Sequence, residues 1–193
     1  MTTMVFSRHM AWALAGAACL ATGPALAQQK LIAENSEIAF VSKQMGVPVE
    51  GRFKKFDAQV AFDPAKPATS KVAFTVDTSS ATLGVRETDA ELPKAVWFNV
   101  PKFPQATFES TAIKAVGAGR YEVAGKLSIK GQARDLVVPV QLTQAQNLST
   151  ATGSFTLKRL DFKVGEGDWA DPSIVANDVQ VKFKLVLQGV PAL

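Results

Sequence analysis

Residues 97–113 read W-F-N-V-P-K-F-P-Q-A-T-F-E-S-T-A-I. The stretch opens on the aromatic pair Trp97-Phe98, breaks at Pro101 and Pro104, and then alternates. Ala106, Phe108 and Ser110 share one face; Thr107, Glu109 and Thr111 share the other. Proline removes a ladder donor and fixes its own φ, so an aromatic linker ends where a strand begins. The reading is of a segment that closes one end of a β-barrel around an apolar interior.

Strands of the same kind lie on both sides. Upstream, Ser36–Lys43 alternates with Ile38 and Phe40 on one face, and residues 44–48 form a turn. Residues 49–62 form a longer strand in which Gly51 and the Lys54-Lys55 doublet predict a bend or bulge. Val72, Phe74 and Val76 give a third strand. Downstream, Tyr121, Val123, Gly125, Leu127 and Ile129 share a face, followed by Leu136, Val138, Val140 and Leu142. Pro139, on the opposite face, predicts interrupted or edge pairing there. Ala151, Gly153, Phe155 and Leu157 mark a seventh strand, and Val179, Val181, Phe183, Leu185 and Leu187 an eighth. The one plausible helix is short, one or two turns over residues 87–92, because Pro93 interrupts it. Eight alternating strands with one short helix predict an all-β antiparallel barrel or a sandwich.

The ends and the composition narrow the chemistry. Arg8, the apolar run Met10–Leu20 and Ala25-Leu26-Ala27 make a secretory signal, predicted to be cleaved after Ala27. The run is too short to serve comfortably as a membrane anchor. Residues 28–193 then form one domain, with a periplasmic destination. Cleavage would remove Cys19 and His9, the only cysteine and the only histidine of the chain. Disulfides, cysteine–histidine zinc sites and Ser-His-Asp triads are thereby excluded within one mature chain, and no enzyme activity and no cofactor is expected. The formal charge of +4 is spread over scattered lysines and does not suggest nucleic acid. Eleven of the twelve phenylalanines follow the signal, many on inward faces. They either pack a sandwich core or line a dry cavity that prefers hydrocarbon.

Several stretches together resemble the YceI-like family of secreted bacterial lipid-binding proteins, also called polyisoprenoid-binding. They are S-E-I-A-F-V-S-K-Q-M-G-V-P-V-E-G-R-F-K-K-F-D from Ser36, then Phe62-Asp63-Pro64, then F-P-Q-A-T-F-E-S from Phe103. G-K-L-S-I-K-G from Gly125 and Asp161-Phe162 complete the set. The resemblance implies an eight-stranded, lipocalin-like barrel binding an isoprenoid-type lipid or quinone by apolar wall contacts. The candidate ligand-binding residues are Phe40, Phe53, Phe56, Phe74, Leu92, Trp97, Phe98, Phe103, Phe108, Phe155 and Phe183. Trp97 reads as a lid over the ligand or as a ring sealing the barrel end.

The departures from the family pattern E-R-D-x-H-L-R-S gather in the helix. Thr88, Glu91 and Pro93 replace its Arg, His and second Arg, and Val96 replaces the following acidic residue. The polar edge of the entrance therefore differs from that of relatives. The G-E-G-D-W-A-D loop from Gly165 resembles a branch associated with membrane cytochromes of b561 type. It is the basis for an alternative reading, a docking module for a redox partner. Its acids, Glu166, Asp168 and Asp171, lack EF-hand spacing and read as an exposed turn, not a calcium site. A second copy of the chain is left open as a further partner.

Overall fold

The computed structural model describes residues 29–193; the expected signal, with Cys19 and His9, lies outside the described residues. Eleven strands form one antiparallel sheet. In chain order they are β1 (Lys30–Leu31), β2 (Glu37–Gln44), β3 (Val47–Phe53), β4 (Phe56–Ala61), β5 (Lys71–Asp77) and β6 (Ala81–Thr82). After the single helical turn α1 (Arg86–Asp89) come β7 (Gln105–Gly117), β8 (Arg120–Ile129), β9 (Gln132–Ala145), β10 (Leu148–Lys158) and β11 (Asp178–Gln188). The order across the sheet is β4-β5-β7-β8-β9-β10-β11-β2-β3-β6, with β1 also on β11.

That order dictates the shape. β3 and β4 lie towards opposite ends of the hydrogen-bonded path, yet only Lys54 and Lys55 separate them in the chain. Three steps of extended chain, from Phe53 to Phe56, span at most ~11 Å, so the sheet must curl until its ends nearly meet. Ser80 holds the corner, its carbonyl accepting from the Lys54 amide and its Oγ from the Lys55 amide. No ladder joins β3 to β4 among the described residues. Gln29 instead laces the seam, its side-chain amide pairing with both the N–H and the carbonyl of Phe62.

The all-β, lipocalin-like class is as expected, but the strands number eleven, not eight. The expected long strand over 49–62 is two, because the Lys54-Lys55 bend is a corner that carries the chain across the sheet. β1 and β6 are two-residue strands, too short for periodicity to reveal. The helix also differs: it is a single turn, Arg86–Asp89, rather than one or two turns over 87–92. From Glu91 to Trp97 the turns tighten to i→i−3 bonds, with Pro93 supplying no donor. Asp89 is drawn back instead, accepting from Thr82 Oγ1 and from the Leu83 amide at 2.6 Å.

Within β7 the pairing with β8 slips at Ser110/Ala112 and again at Ala115/Gly117. A bulge between Ser110 and Ala112 turns Ala112 outward and buries Ile113. Ile113 thereby joins Phe62, Tyr121, Leu142 and Leu185 in one core cluster, where Tyr121 meets Phe62 edge-on at 5.0 Å. Pro139 behaves as expected. The β9–β10 ladder stops at Val140↔Gly153, just before the proline, while β9 continues on β8 to Gln132. Beyond that point the β9–β10 ladder is absent, and Leu136 of β9 and Phe155 and Leu157 of β10 pack against a second cluster formed by Leu127, Phe162 and Val164.

The crossover from β10 to β11 is organised by Arg159, which is only 3% exposed. Its guanidinium donates to five carbonyls: Ala176, Val164, Gly165, Trp169 and Val175, at 2.6–3.0 Å. Every donor of the side chain is thus used. Burial lowers its pKa from the usual arginine value, but the ring of carbonyl oxygens favours the cation.

Replacing Arg159 with Met should strand those carbonyls in the interior. The expected cost is about 3–5 kcal/mol, read as a lowered urea midpoint. A midpoint within experimental error of wild type would refute this role. A second expectation concerns Asp89. Hydrogen bonds from Thr82 and then Leu83 hold its carboxyl below the ordinary value of 3.8. Its stabilisation is therefore fully present above that value and lost as pH falls through the lower folded pKa. Protection of the Leu83 amide should decline over that acid range in wild type, whereas Asp89→Asn should flatten the dependence.

Candidate ligand-binding cavity

The inner face of the curled sheet encloses a cavity of about 360 Å³, within the range of small-molecule sites. Its wall comes from every second residue of the long strands. β2 contributes Ile38, Phe40, Ser42 and Gln44; β8 contributes Tyr121, Val123, Leu127 and Ile129; β11 contributes the alternate residues from Val179 to Leu187. The remaining lining is almost wholly apolar too. Burial raises the pKa of Tyr121, so its phenol stays neutral at physiological pH.

The aromatic rings do not fill this space, and the reason lies in three strand glycines. A Cβ at Gly51 would overlap the ring of Phe40, one at Gly125 that of Phe108, and one at Gly153 that of Phe183. Phe40 and Phe183 are the direct cross-strand partners of their glycines, and Phe108 reaches its own diagonally. Each ring lies down on the bare backbone and becomes wall, leaving the centre open. Phe40 also meets Phe53 at 5.4 Å, and Phe53 meets Phe98 edge-on at 6.0 Å, continuing an aromatic surface from the sheet to the entrance segment.

Among the lining residues, only Gln44 and Thr88 are exposed, which puts the mouth between the β2–β3 hairpin and α1. Ser42 lies one step below Gln44 on the same strand face, ~7 Å deeper. Its buried Oγ has no hydrogen-bond partner among the described residues. Glu91 also lines the cavity and pairs with Lys94. Two of the helix departures noted above, Thr88 and Glu91, therefore face the cavity. Trp97 packs on Trp169 with centroids 5.6 Å apart, and the Val96 carbonyl accepts from the Gly165 and Glu166 amides. The entrance segment and the crossover loop are thus stitched into one cover.

Nine of the eleven residues expected to bind ligand line this one cavity: Phe40, Phe53, Phe74, Leu92, Trp97, Phe98, Phe108, Phe155 and Phe183. Two do not. Phe56 starts β4 beside the corner and fills the first core cluster. Phe103 covers Gly131 at the β8–β9 turn, with Lys102 Nζ 5.3 Å from its ring centre. Sequence reasoning missed Phe62, Tyr121, Phe162 and Arg159, all of which line the cavity. Alternation placed Tyr121 on the right face; nothing in local pattern marked Arg159. Of the loop acids, Glu166 pairs with buried Lys130 at 2.9 Å, and Asp171 accepts from the Ser173 amide.

The comparisons with known proteins agree with this architecture. A UPF0312 protein of Azotobacter vinelandii is 35% identical over 127 residues, 64% of this chain and 66% of that protein, so the chain spans about two thirds of that curated relative. The crystal structure of Burkholderia cenocepacia BcnA superposes with a TM-score of 0.78 at 46% identity, covering 81% of this chain and 98% of that one. A polyisoprenoid binding domain from Saccharophagus degradans, implicated in plant cell wall breakdown, matches with a TM-score of 0.70 at 15% identity. It covers 85% of this chain and 99% of that one, and at such identity shares the fold alone. The YceI-like domain matches residues 30–187, nearly the whole of the curled sheet, and the chain belongs to the YceI-like family.

Proposed function

We propose that the protein is a periplasmic binding or carrier protein for an isoprenoid-type amphiphile, a polyprenyl lipid or quinone, held tail-inward without catalysis. The observation that carries this reading is the polarity gradient of the cavity. Its depth is hydrocarbon-like, and Ser42, Gln44, Thr88 and Glu91 stand on the mouth side. A tail gains by leaving water, and ~400 Å² of buried tail is worth ~10 kcal/mol gross, before association and ordering costs. Ser42 Oγ offers an unused hydrogen bond to a head-group oxygen. Arg159 also lines the wall, but its donors are spent on carbonyls, so it offers no free fork to a phosphate. The polyisoprenoid binding domain of Saccharophagus degradans lends the ligand class support by analogy of fold. The amino-terminal signal pattern supports export.

Native mass spectrometry of protein exported by its own host, with solvent extraction, should reveal a co-purifying prenyl lipid or quinone. Protein that arrives empty and also takes up neither geranylgeraniol nor a prenyl quinone would overturn the proposal. Two variants probe the wall. Phe108→Asp sets an unpaired carboxylate against the tail and should weaken geranylgeraniol binding at least tenfold, followed by Trp97 and Trp169 fluorescence. Gly51→Ala, whose added Cβ meets the side chains of Phe40 and Leu83, should tip the Phe40 ring into the lumen and lower the uptake of long chains more than that of short ones.

A further inference from the structure

The described residues expose eight large apolar side chains, and most of them crowd the end of the sheet where the cavity opens. Met45 and Val47, 74% and 64% exposed, form the tip of the β2–β3 hairpin immediately beyond Gln44 at the mouth. Ile174 adjoins them, its carbonyl accepting from the Met45 amide at 2.8 Å. On the other side of the mouth Val85 immediately precedes α1, three residues before Thr88. Val96 stands exposed on the entrance segment.

Nothing in the fold rewards this arrangement. Met45 sits at φ 49°, a left-handed turn position better suited to Asn or Gly, and its side chain meets water. Val116, Val137 and Leu193, the other exposed apolar residues, lie away from the mouth on β7, on β9 and at the carboxyl end.

We propose that this apolar rim docks the mouth onto a lipid bilayer, its side chains entering the head-group region so that a tail passes into the cavity without crossing water. The inference rests on the lipid-binding reading and adds the place where the ligand is exchanged. The geometry favours a bilayer over a protein partner. The side chains project from separate loop tips around an opening, and a handful of them cannot supply the roughly 800 Å² per partner of a stable protein interface. Charge does not select an acidic or a basic partner. Lys43 and Arg86 beside the rim are matched by Glu87 and Asp171, all exposed. Docking should therefore be apolar, weak and reversible, with little dependence on salt.

The test uses vesicles of phosphatidylethanolamine and phosphatidylglycerol at about 3:1, carrying geranylgeraniol as the probe. Wild-type protein should co-float with them equally well at low and high salt, and should withdraw the probe. The double variant Met45→Asp, Val47→Asp alters exposed side chains that do not line the cavity. It should lose co-flotation and vesicle-to-protein transfer at least fivefold, while binding geranylgeraniol delivered from dilute ethanol with unchanged affinity. Equal flotation and transfer by wild type and variant would overturn the proposal, as would wild-type protein that never co-floats. So would loss, in the variant, of a wild-type dimer seen by sedimentation without any vesicle binding, since the rim would then meet a second copy. Wild-type protein that co-floats yet takes up no probe from ethanol would instead remove the lipid-binding reading and leave docking standing.

Discussion

The buried guanidinium of Arg159 holds the mouth end of the molecule together, with buried Lys130 tied to the Lys163 carbonyl and to Glu166 of the same loop. Among the described residues Arg159 has no carboxylate partner; its guanidinium is enclosed by five backbone carbonyls drawn from residues 164–176. A planar fork with five donors can gather a loop that has little regular structure of its own, a task to which a lysine ammonium is poorly suited. Desolvating the charge is expensive, so the loop must supply all five acceptors at once. That requirement fixes where Gly165 and Trp169 lie. Through them it fixes the Trp97–Trp169 contact and the two hydrogen bonds to Val96 that seat the entrance segment. Gly165 has no room for a side chain, because Arg159 and Trp97 already occupy the space.

Below that cover the sheet meets a conflicting demand. Protein interiors pack to crystal-like density, and a domain rich in phenylalanine would ordinarily collapse its centre. Three glycines on the inner face redirect three rings onto the sheet, so aromatic surface is kept while volume is left free. The open cavity forfeits dispersion contacts that a filled core would have. A bound apolar ligand would restore them, so on the proposed reading stability and binding would draw on the same empty volume. The sparse pairing at the seam fits this economy: the corner at Ser80 and the Gln29 clasp on Phe62 hold the curl where a ladder is missing.

Much of this was legible in the chain, for a physical reason. β8 and β11 are long, and burial on one face alone imposes a period of two, so their inward residues can be counted off. The same counting failed where the backbone departs from that period. The bulge at Thr111 exchanges Ala112 for Ile113, and nothing in T-A-I announces it. Lys54-Lys55 read as a bend, but whether a bend is a kink or a corner depends on strands far away in sequence. Phe103 looks like any inward ring until the β8–β9 turn brings Gly131 beneath it. Arg159 was invisible, because its partners are carbonyls that every residue carries and its burial is set by the loop that folds around it.

The division between legible and hidden parts also separates ligand class from ligand choice. Class is a property of the wall, and the wall is made of strand residues whose apolar character repeats with the pleat. Choice belongs to the mouth, where Ser42, Gln44, Thr88 and Glu91 stand within reach of a head group. Thr88 and Glu91 come from an irregular segment whose position depends on Asp89 gripping Thr82 and Leu83. On the family pattern that the sequence resembles, Thr88 and Glu91 stand where an arginine and a histidine would, which would leave less positive charge on the lining of the opening. Glu91 is already matched by Lys94, so the lining at the opening presents a compensated pair and the Ser42 hydroxyl, with Lys43 and Arg86 on the rim outside it. On the proposed reading, a neutral head-group oxygen would gain a hydrogen bond from Ser42 at small desolvation cost. On that reading, affinity would rest with the apolar wall and head-group choice with the entrance residues.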